Sequence, residues 1–247
     1  MTKQLYQQLL KATASQLAVL VDPDKQEAKA LERLATNAQS SRVDYFFVGG
    51  SLLMDDRFQQ TIEVLKKNCS IPVVIFPGNN YQVSVAADAI LLLSLISGRN
   101  PEYLIGQHVI AAPAIKASGL EVIPTGYLLI DGGRISTTSY ITQTVPIPAD
   151  KTDVAVATAL AGAQLGLKAI YLEAGSGAKQ TVTAAMVSAV KQQVQLPLLV
   201  GGGIRSGEQA ETLAHAGADV LIVGNALEKS PELLMEIALG TKSVKRV

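Results

Sequence analysis

Two runs in the last third of the chain end in glycine turns suited to holding one phosphate. Leu196-Pro-Leu-Leu-Val-Gly-Gly-Gly-Ile-Arg205 reads as a buried strand entering a glycine turn, and Ala218-Asp-Val-Leu-Ile-Val-Gly-Asn-Ala226 repeats the pattern about twenty residues later. Glycine lets a backbone N–H approach an anion with no Cβ in the way. A helix start beyond each turn adds unpaired N–H groups and a favourable dipole. Two such turns after consecutive strands match the phosphate site that a TIM barrel builds after its seventh and eighth strands.

A second constellation lies in Tyr171-Leu-Glu-Ala-Gly-Ser-Gly177. Strand alternation puts Tyr171 and Glu173 on one face and Leu172 on the other. Facing inward, a phenol and a carboxylate suit the vicinal hydroxyls of a small polyol. Glu173 would then accept a proton from an attacking hydroxyl, unless it serves only as an ion-pair partner in the barrel mouth. Ser176 and Gly177 would cap the phosphate from a third side, opposite Gly202, Gly203, Gly224 and Asn225. Asp22 and Ser51 end neighbouring strands, and a carboxylate with a hydroxyl suits Mg²⁺, which takes a few protein oxygens together with substrate phosphates. The plainer reading of Asp22-Pro-Asp24 is a turn with a helix cap. Lys25 is the one strand-end lysine near this site, and a contact with diphosphate suits it better than Schiff-base chemistry. His108 and His215 read as structural, and no Ser-His-Asp arrangement is visible. Arg205 shapes its loop or pairs with an acid.

These residues need a scaffold that gathers strand ends. The pattern gives strands at 17–21, 44–48, 71–76, 89–93, 122–130, 169–172, 198–200 and 220–223. Helices are expected to about residue 39, then over 55–68, 101–118, 152–165 and 181–193, from 206 and from about 231, with a loop at 131–150. The third strand and the fourth are separated by only a dozen residues, too few for a helix with its turns. The expected fold is therefore α/β: one TIM (β/α)₈ barrel over residues 1–247, with the third helix missing or reduced. An open doubly wound sheet would carry its glycine fingerprint early, whereas the first turn here is Asp22-Pro-Asp-Lys25. Losing an outer helix leaves a slot in the wall. Val83, Val85, Ala86, Leu92, Tyr103, Ile110 and Ala111 lie near it, and a long hydrocarbon would fit there with its polar end at the phosphate turns.

Composition narrows the classes. The length suits one barrel, and 48% apolar residues suit parallel strands buried on both faces. Lys plus Arg equals Asp plus Glu at 21 each, so no basic field attracts nucleic acid. The single cysteine, Cys69, forms no internal disulfide and points to a reducing cytoplasm. The segment Met1 to Leu10 reads as a polar amphipathic helix rather than a signal peptide. The longest apolar stretch, near Ala89 to Ile96, is too short to span a bilayer.

Taken together, Asp22-Pro-Asp-Lys25, Gly49-Gly-Ser51, Phe76-Pro-Gly78, Tyr171-Leu-Glu-Ala-Gly-Ser-Gly-Ala178, Gly201-Gly-Gly-Ile-Arg205 and Gly224-Asn225 resemble the geranylgeranylglyceryl phosphate synthase family. The resemblance covers nearly the whole chain. It implies a TIM barrel lacking the third helix. It also implies a Mg²⁺-dependent prenyltransferase that joins geranylgeranyl diphosphate to the 3-hydroxyl of sn-glycerol 1-phosphate and releases diphosphate, the first ether-bond step of ether-lipid synthesis. By the same resemblance Asp22 and Ser51 hold the magnesium, and Asp22 and Glu173 are the catalytic pair. Tyr171, Leu172, Glu173, Ala174, Gly175, Ser176 and Gly177 bind glycerol phosphate together with Gly202, Gly203, Gly224 and Asn225. A cytoplasmic homo-oligomer that touches a membrane surface only in passing on product release is the expected state. Heptaprenylglyceryl phosphate synthase is less similar: its Tyr-Leu-Glu-Tyr-Ser-Gly motif is broken here by Ala174-Gly175, and Leu20 stands where it has a lysine. A synthase of another chain length and a phosphate-binding barrel isomerase or aldolase are the alternatives. A non-catalytic phosphometabolite-binding protein would need the glycine turns but not Asp22 with Ser51.

Overall fold

Short apolar runs, each ended by a turn, give parallel strands that pair in chain order until the last meets the first. A computed structural model describes residues 4–55 and 57–244. Among them, β1 (Gln16–Val21), β2 (Tyr45–Val48), β3 (Val73–Ile75), β4 (Ala89–Leu95), β5 (Glu121–Leu129), β6 (Ala169–Glu173), β7 (Leu198–Gly201) and β8 (Val220–Val223) close a barrel in that order. Every pairing is parallel, with Ala18 opposite Tyr45, Tyr127 opposite Tyr171 and Val19 opposite Val223 at the closure. This is the TIM-barrel architecture.

The strand period of two sorts side chains into two cores. Ala18, Tyr45, Phe47, Leu91, Tyr127, Leu129, Tyr171, Leu199 and Ile222 fill the barrel interior. Val19, Phe46, Val48, Leu128, Leu172, Val200 and Leu221 pack outward against helices. Each fully buried aliphatic side chain contributes about 1.5–3 kcal/mol, so a one-residue slip that exchanged the faces is strongly disfavoured. The outer layer is α2 (Ala28–Ser40), α3 (Phe58–Asn68), α4 (Gln107–Ser118), α6 (Thr152–Gln164), α7 (Ala184–Gln193), α8 (Gly207–His215) and α10 (Leu233–Lys242). The first helix, α1 (Leu5–Lys11), plugs the N-terminal end of the barrel with Leu5 and Leu9. The Glu121 carboxylate accepts the N–H groups of Leu5 and Tyr6 there. Residues 1–3 of the expected first helix and Asp56 of the helix expected over 55–68 lie outside the described residues.

Residues 76–88, between β3 and β4, contain no helix. Side-chain hydrogen bonds hold this short connection instead. Gln82, buried, accepts the Gly78 N–H through Oε1 at 3.2 Å and donates to the Gly50 carbonyl at 3.0 Å. Asp88 receives Lys66 on both oxygens and the Val73 N–H. The connection is thus tied to the β2 turn and to α3 without covering the barrel wall.

The differences from the expected elements are local. The 131–150 segment contains α5 (Thr137–Thr142), capped by the Ser136 hydroxyl. Six residues with no apolar period were too weak a signal. The β8 turn continues into α9 (Asn225–Lys229), the helix start expected beyond Gly224 but too short for the pattern to bound. The 101–118 helix begins with a π-wound turn, Glu102–Gly106. Strands β4 and β6 run past the expected ends, to Leu95 and Glu173, because neighbouring strands supply ladder partners there.

Candidate active site

The C-terminal ends of the strands open onto a polar mouth of about 1780 Å³. Three turns converge on one side of it. The β6 loop supplies Gly175, Ser176 and Gly177, the β7 turn Gly202 and Gly203, and the β8 turn Gly224 and Asn225. The Ser176 hydroxyl donates to the Asn225 side-chain oxygen at 2.9 Å, drawing the β6 loop to the β8 turn. Gly202 has φ +84°, and a Cβ there would lie 2.7 Å from Glu173 Oε1 and 2.8 Å from the Gly175 nitrogen. Only glycine fits that position. Cations surround the cup: Lys25, Arg134, Arg205 and Lys229 all line it.

The carboxylate and the phenol stand at the end of β6, on its inner face. Glu173 is 8% exposed, and its Oε1 accepts the Gly175 N–H at 2.6 Å. Burial pushes its carboxyl up to about 7, against the opposing pull of that N–H. A base poised near neutrality is the arrangement that proton transfer favours. Tyr171 is fully buried, and among the described residues its hydroxyl is the one buried side-chain polar atom with no hydrogen-bond partner. Such an orphan is rare, because a buried unsatisfied group costs about 1–3 kcal/mol. A polar ligand atom in the mouth would satisfy it. The Tyr171 ring packs edge-on against Phe76 and Tyr127, with centroids 5.5 and 5.1 Å away. Burial raises the Tyr127 phenol well above its ordinary value, helped by the charge of Glu173 and opposed by a hydrogen bond with Thr138.

Across the mouth, β1 and β2 end in Asp22 and Ser51. Asp22 Oδ1 accepts the Asp24 N–H at 3.2 Å, while Oδ2 faces the Lys25 ammonium at 3.0 Å. This carboxylate already attracts a cation. The Ser51 hydroxyl lies 3.0 Å from the Thr138 hydroxyl. No cluster of three or more His, Cys, Asp or Glu side chains suited to a metal occurs among the described residues. The donor set of one carboxylate and a hydroxyl therefore fits a hard ion that shares its shell with phosphate oxygens, and does not fit a closed protein cage.

The gap left by the missing helix is an apolar trough of about 870 Å³. Val83, Leu92, Leu93, Tyr103, Ala111 and Ile115 are among its walls. Gly50, Ser51, Phe76, Tyr127 and Thr138 border the trough and the polar mouth alike, so the two spaces meet there.

The structure gathers most of the expected residues and disperses a few. Asp22, Ser51, Tyr171, Glu173, Gly175, Ser176, Gly177, Gly202, Gly203, Gly224 and Asn225 share the mouth. Leu172 and Ala174 do not: Leu172 packs outward, and the Ala174 N–H is held by the Gly201 carbonyl. Of the slot residues, Val83, Leu92, Tyr103 and Ala111 line the trough, whereas Val85 and Ile110 face solvent and Ala86 packs beside it. Asp24 accepts the N–H groups of Met54 and Asp55 and serves its loop. His108 donates to the Leu93 carbonyl at 2.9 Å and also walls the trough. His215 stays on the surface beside Glu211. Arg205 donates to the carbonyls of Ala178 and Lys179, bracing the β6 loop. Sequence reasoning missed Phe76 as a site residue, along with Tyr127, Arg134, Thr138 and Glu228. Two signals were available: Phe76-Pro-Gly78 at the end of the third strand, and the Gly132-Gly-Arg134 run after β5, a strand-end turn carrying a cation.

Comparison with known proteins agrees with this geometry. Geranylgeranylglyceryl phosphate synthase of Chitinophaga pinensis is 53% identical over 221 residues, covering 90% of this chain and 88% of that one. The enzyme of the same name from Spirosoma linguale is also 53% identical over 221 residues, covering 90% and 89%. The crystal structure of (S)-3-O-geranylgeranylglyceryl phosphate synthase from Thermoplasma acidophilum, in complex with its substrate sn-glycerol-1-phosphate, superposes with a TM-score of 0.91 at 34% identity, over 99% of this chain and 100% of that one. The PcrB family model matches residues 10–242. A closed barrel with a gap in its third unit, a glycine-lined cup and a buried Tyr171–Glu173 pair are thus what this chain has as a member of the PcrB family.

Proposed function

We propose that this protein is a geranylgeranylglyceryl phosphate synthase, transferring the geranylgeranyl group of geranylgeranyl diphosphate to the 3-hydroxyl of sn-glycerol 1-phosphate. The observation that carries the reading is the junction of two unlike spaces. A polar cup with a buried base and an unpartnered phenol opens at Phe76, Tyr127 and Thr138 onto an apolar trough. One substrate with a phosphate and free hydroxyls, and another with a diphosphate and a long hydrocarbon, fill these spaces together.

In this reading the glycine turns and Ser176 hold the glycerol phosphate. The Tyr171 hydroxyl donates to a glycerol oxygen, ending its isolation. Glu173 Oε2, the oxygen not held by Gly175, takes the proton of the 3-hydroxyl as that oxygen bonds to the allylic carbon. The allylic C–O bond breaks, and its electron pair leaves with diphosphate. The trough excludes water from the allylic carbon, which protects it from hydrolysis. Magnesium, held by Asp22 and Ser51, would supply neutralising charge to the diphosphate. Lys25 and Arg134 add fixed positive charge at the same mouth.

An aldolase or Schiff-base isomerase is poorly supported, since Lys25 is paired with two carboxylates and, among the described residues, the other lysine at the mouth, Lys229, stands at the end of α9 rather than at a strand end. Self-association and brief membrane-surface contact belong to the same proposal; exposed Val109, Ile110, Tyr140 and Val145 are apolar surface available for either. A cytoplasmic location is supported by the free thiol of Cys69. No helix among the described residues is long and apolar enough to cross a membrane.

The test is incubation with labelled sn-glycerol 1-phosphate and C10, C15 or C20 prenyl diphosphates, with Mg²⁺ or with EDTA, followed by butanol extraction. Label in the organic phase, greatest with C20 and absent with EDTA, is expected. No extractable label with any prenyl diphosphate would overturn the reading.

A further inference from the structure

Lys25 sits between two acids from opposite ends of the chain. Its ammonium lies 3.0 Å from Asp22 Oδ2 and 3.5 Å from Glu228 Oε1. Lys25 belongs to the 3₁₀ turn after β1, and Glu228 to α9, the helix that begins at Asn225 of the β8 phosphate turn. All three side chains line the polar mouth. The Lys25 side chain is 43% exposed, whereas that of Glu228 is 19% exposed, so the acid is the better anchored of the pair. A lysine on a flexible four-carbon stem keeps one position only if something holds it. Asp22 holds it in this structure, but the proposed function turns Asp22 toward a divalent ion. Glu228 is then the remaining contact that keeps the ammonium at the mouth.

We infer that Glu228 is a positioning residue for diphosphate: it holds the Lys25 ammonium beside Asp22, and thereby ties the cation that receives the leaving group to the helix that starts at the glycerol phosphate turn. This rests on the prenyl-transfer reading. It also opposes simple electrostatics. Removing a carboxylate from an anion site raises the local positive potential and should tighten polyanion binding. Removing a positioning carboxylate frees the lysine and weakens it. The two accounts differ in sign.

Calorimetric titration of inorganic pyrophosphate with excess Mg²⁺ decides between them, on the wild type, Glu228→Gln, Lys25→Met and the double variant. Glu228→Gln is expected to weaken pyrophosphate about tenfold, the scale of one charge-assisted hydrogen bond. The double variant should bind no worse than Lys25→Met alone, because the acid acts through the lysine. Circular dichroism and the melting temperature of each variant, expected to match the wild type, report an intact fold. Unchanged or tighter pyrophosphate binding by Glu228→Gln would overturn the positioning role, as would an undiminished loss in the Lys25→Met background. Failure of the wild type to bind pyrophosphate would instead overturn the prenyl-transfer reading, and this inference with it.

Discussion

The two sides of the barrel mouth are built from the same repeating unit and have opposite characters. Around β6, β7 and β8 the full strand–turn–helix unit survives. Its glycine turns present backbone N–H groups, its loops bring Ser176 and Asn225 together, and Arg205 braces the cup through the Ala178 and Lys179 carbonyls. Between β3 and β4 the helix is gone. What it would have covered, Leu92 and its neighbours, becomes the wall of an apolar trough that α4 lines as well. An intact unit yields polar recognition, because helix starts leave N–H groups free. A deleted unit leaves an apolar trough, because it exposes core without altering the ladder beneath. In the proposed function that trough takes the hydrocarbon.

If the comparison is right, substitutions on the polar side should depress turnover with every prenyl donor alike, while those in the trough should depend on chain length. The largest effect is expected for Asp22→Asn. Loss of the one charged metal-facing oxygen should remove several kcal/mol of leaving-group stabilisation, hence roughly 10³-fold or more in turnover. Circular dichroism should be unchanged; near-normal rates with Mg²⁺ would take Asp22 out of the metal site.

Glu173→Gln comes next, with an expected loss of about 10²–10⁴-fold in turnover and a modest effect on glycerol phosphate binding. The wild-type rate should rise with pH through about 7, where Glu173 ionises, and the variant should lack that limb. Stability should show the opposite sense. The folded carboxyl holds its proton more tightly than the unfolded one, so its contribution is full below about 4.5 and is lost as pH rises through about 7. That gap corresponds to roughly 3 kcal/mol. The substrate-free variant should therefore melt several degrees above the wild type at pH 8 and match it near pH 4. Equal melting at both values would refute the buried, raised carboxyl.

Gly202→Ala is expected to weaken glycerol phosphate binding roughly ten- to a hundredfold, since the added Cβ meets Glu173 and forces a strained backbone, at about 1–3 kcal/mol. The loss should not vary with the prenyl donor. The smallest effect, and the most selective, is predicted for Ala111→Trp in the trough. C20 transfer should fall about tenfold, C10 transfer should hold, and glycerol phosphate affinity should not change. Ala86→Trp, beside the trough but outside its lining, should discriminate less. A uniform loss across C10, C15 and C20 would place the hydrocarbon elsewhere.

Much of this was legible because it is written in local pattern. Short apolar runs ended by turns gave the strands, and Asp22, Ser51, Glu173 and the late glycines were read at their ends. The short stretch from Pro77 to Ala89 gave the missing helix, since chain length alone forbids one. The shared inward face of Tyr171 and Glu173 followed from alternation. The residues that escaped are those whose importance depends on what stands opposite. Thr138 sits in a six-residue helix with no apolar stripe, yet it bridges Ser51 and Tyr127 across two loops. Glu228 is one charged residue in a polar helix until α9 brings it to Lys25, 203 positions away.

The sequence by itself determined the barrel, its gap, the glycine turns and the identity of the buried acid, because each rests on spacing within a few tens of residues. Only the tertiary structure decided which slot residues line the trough, that Leu172 and Ala174 turn away from the mouth, that the Tyr171 hydroxyl is left without a partner and that Lys25 is shared between Asp22 and Glu228. The reason is physical. Direction and desolvation at the mouth are set by barrel closure, which brings β1 against β8 and places Lys25 beside Glu228, 203 positions away.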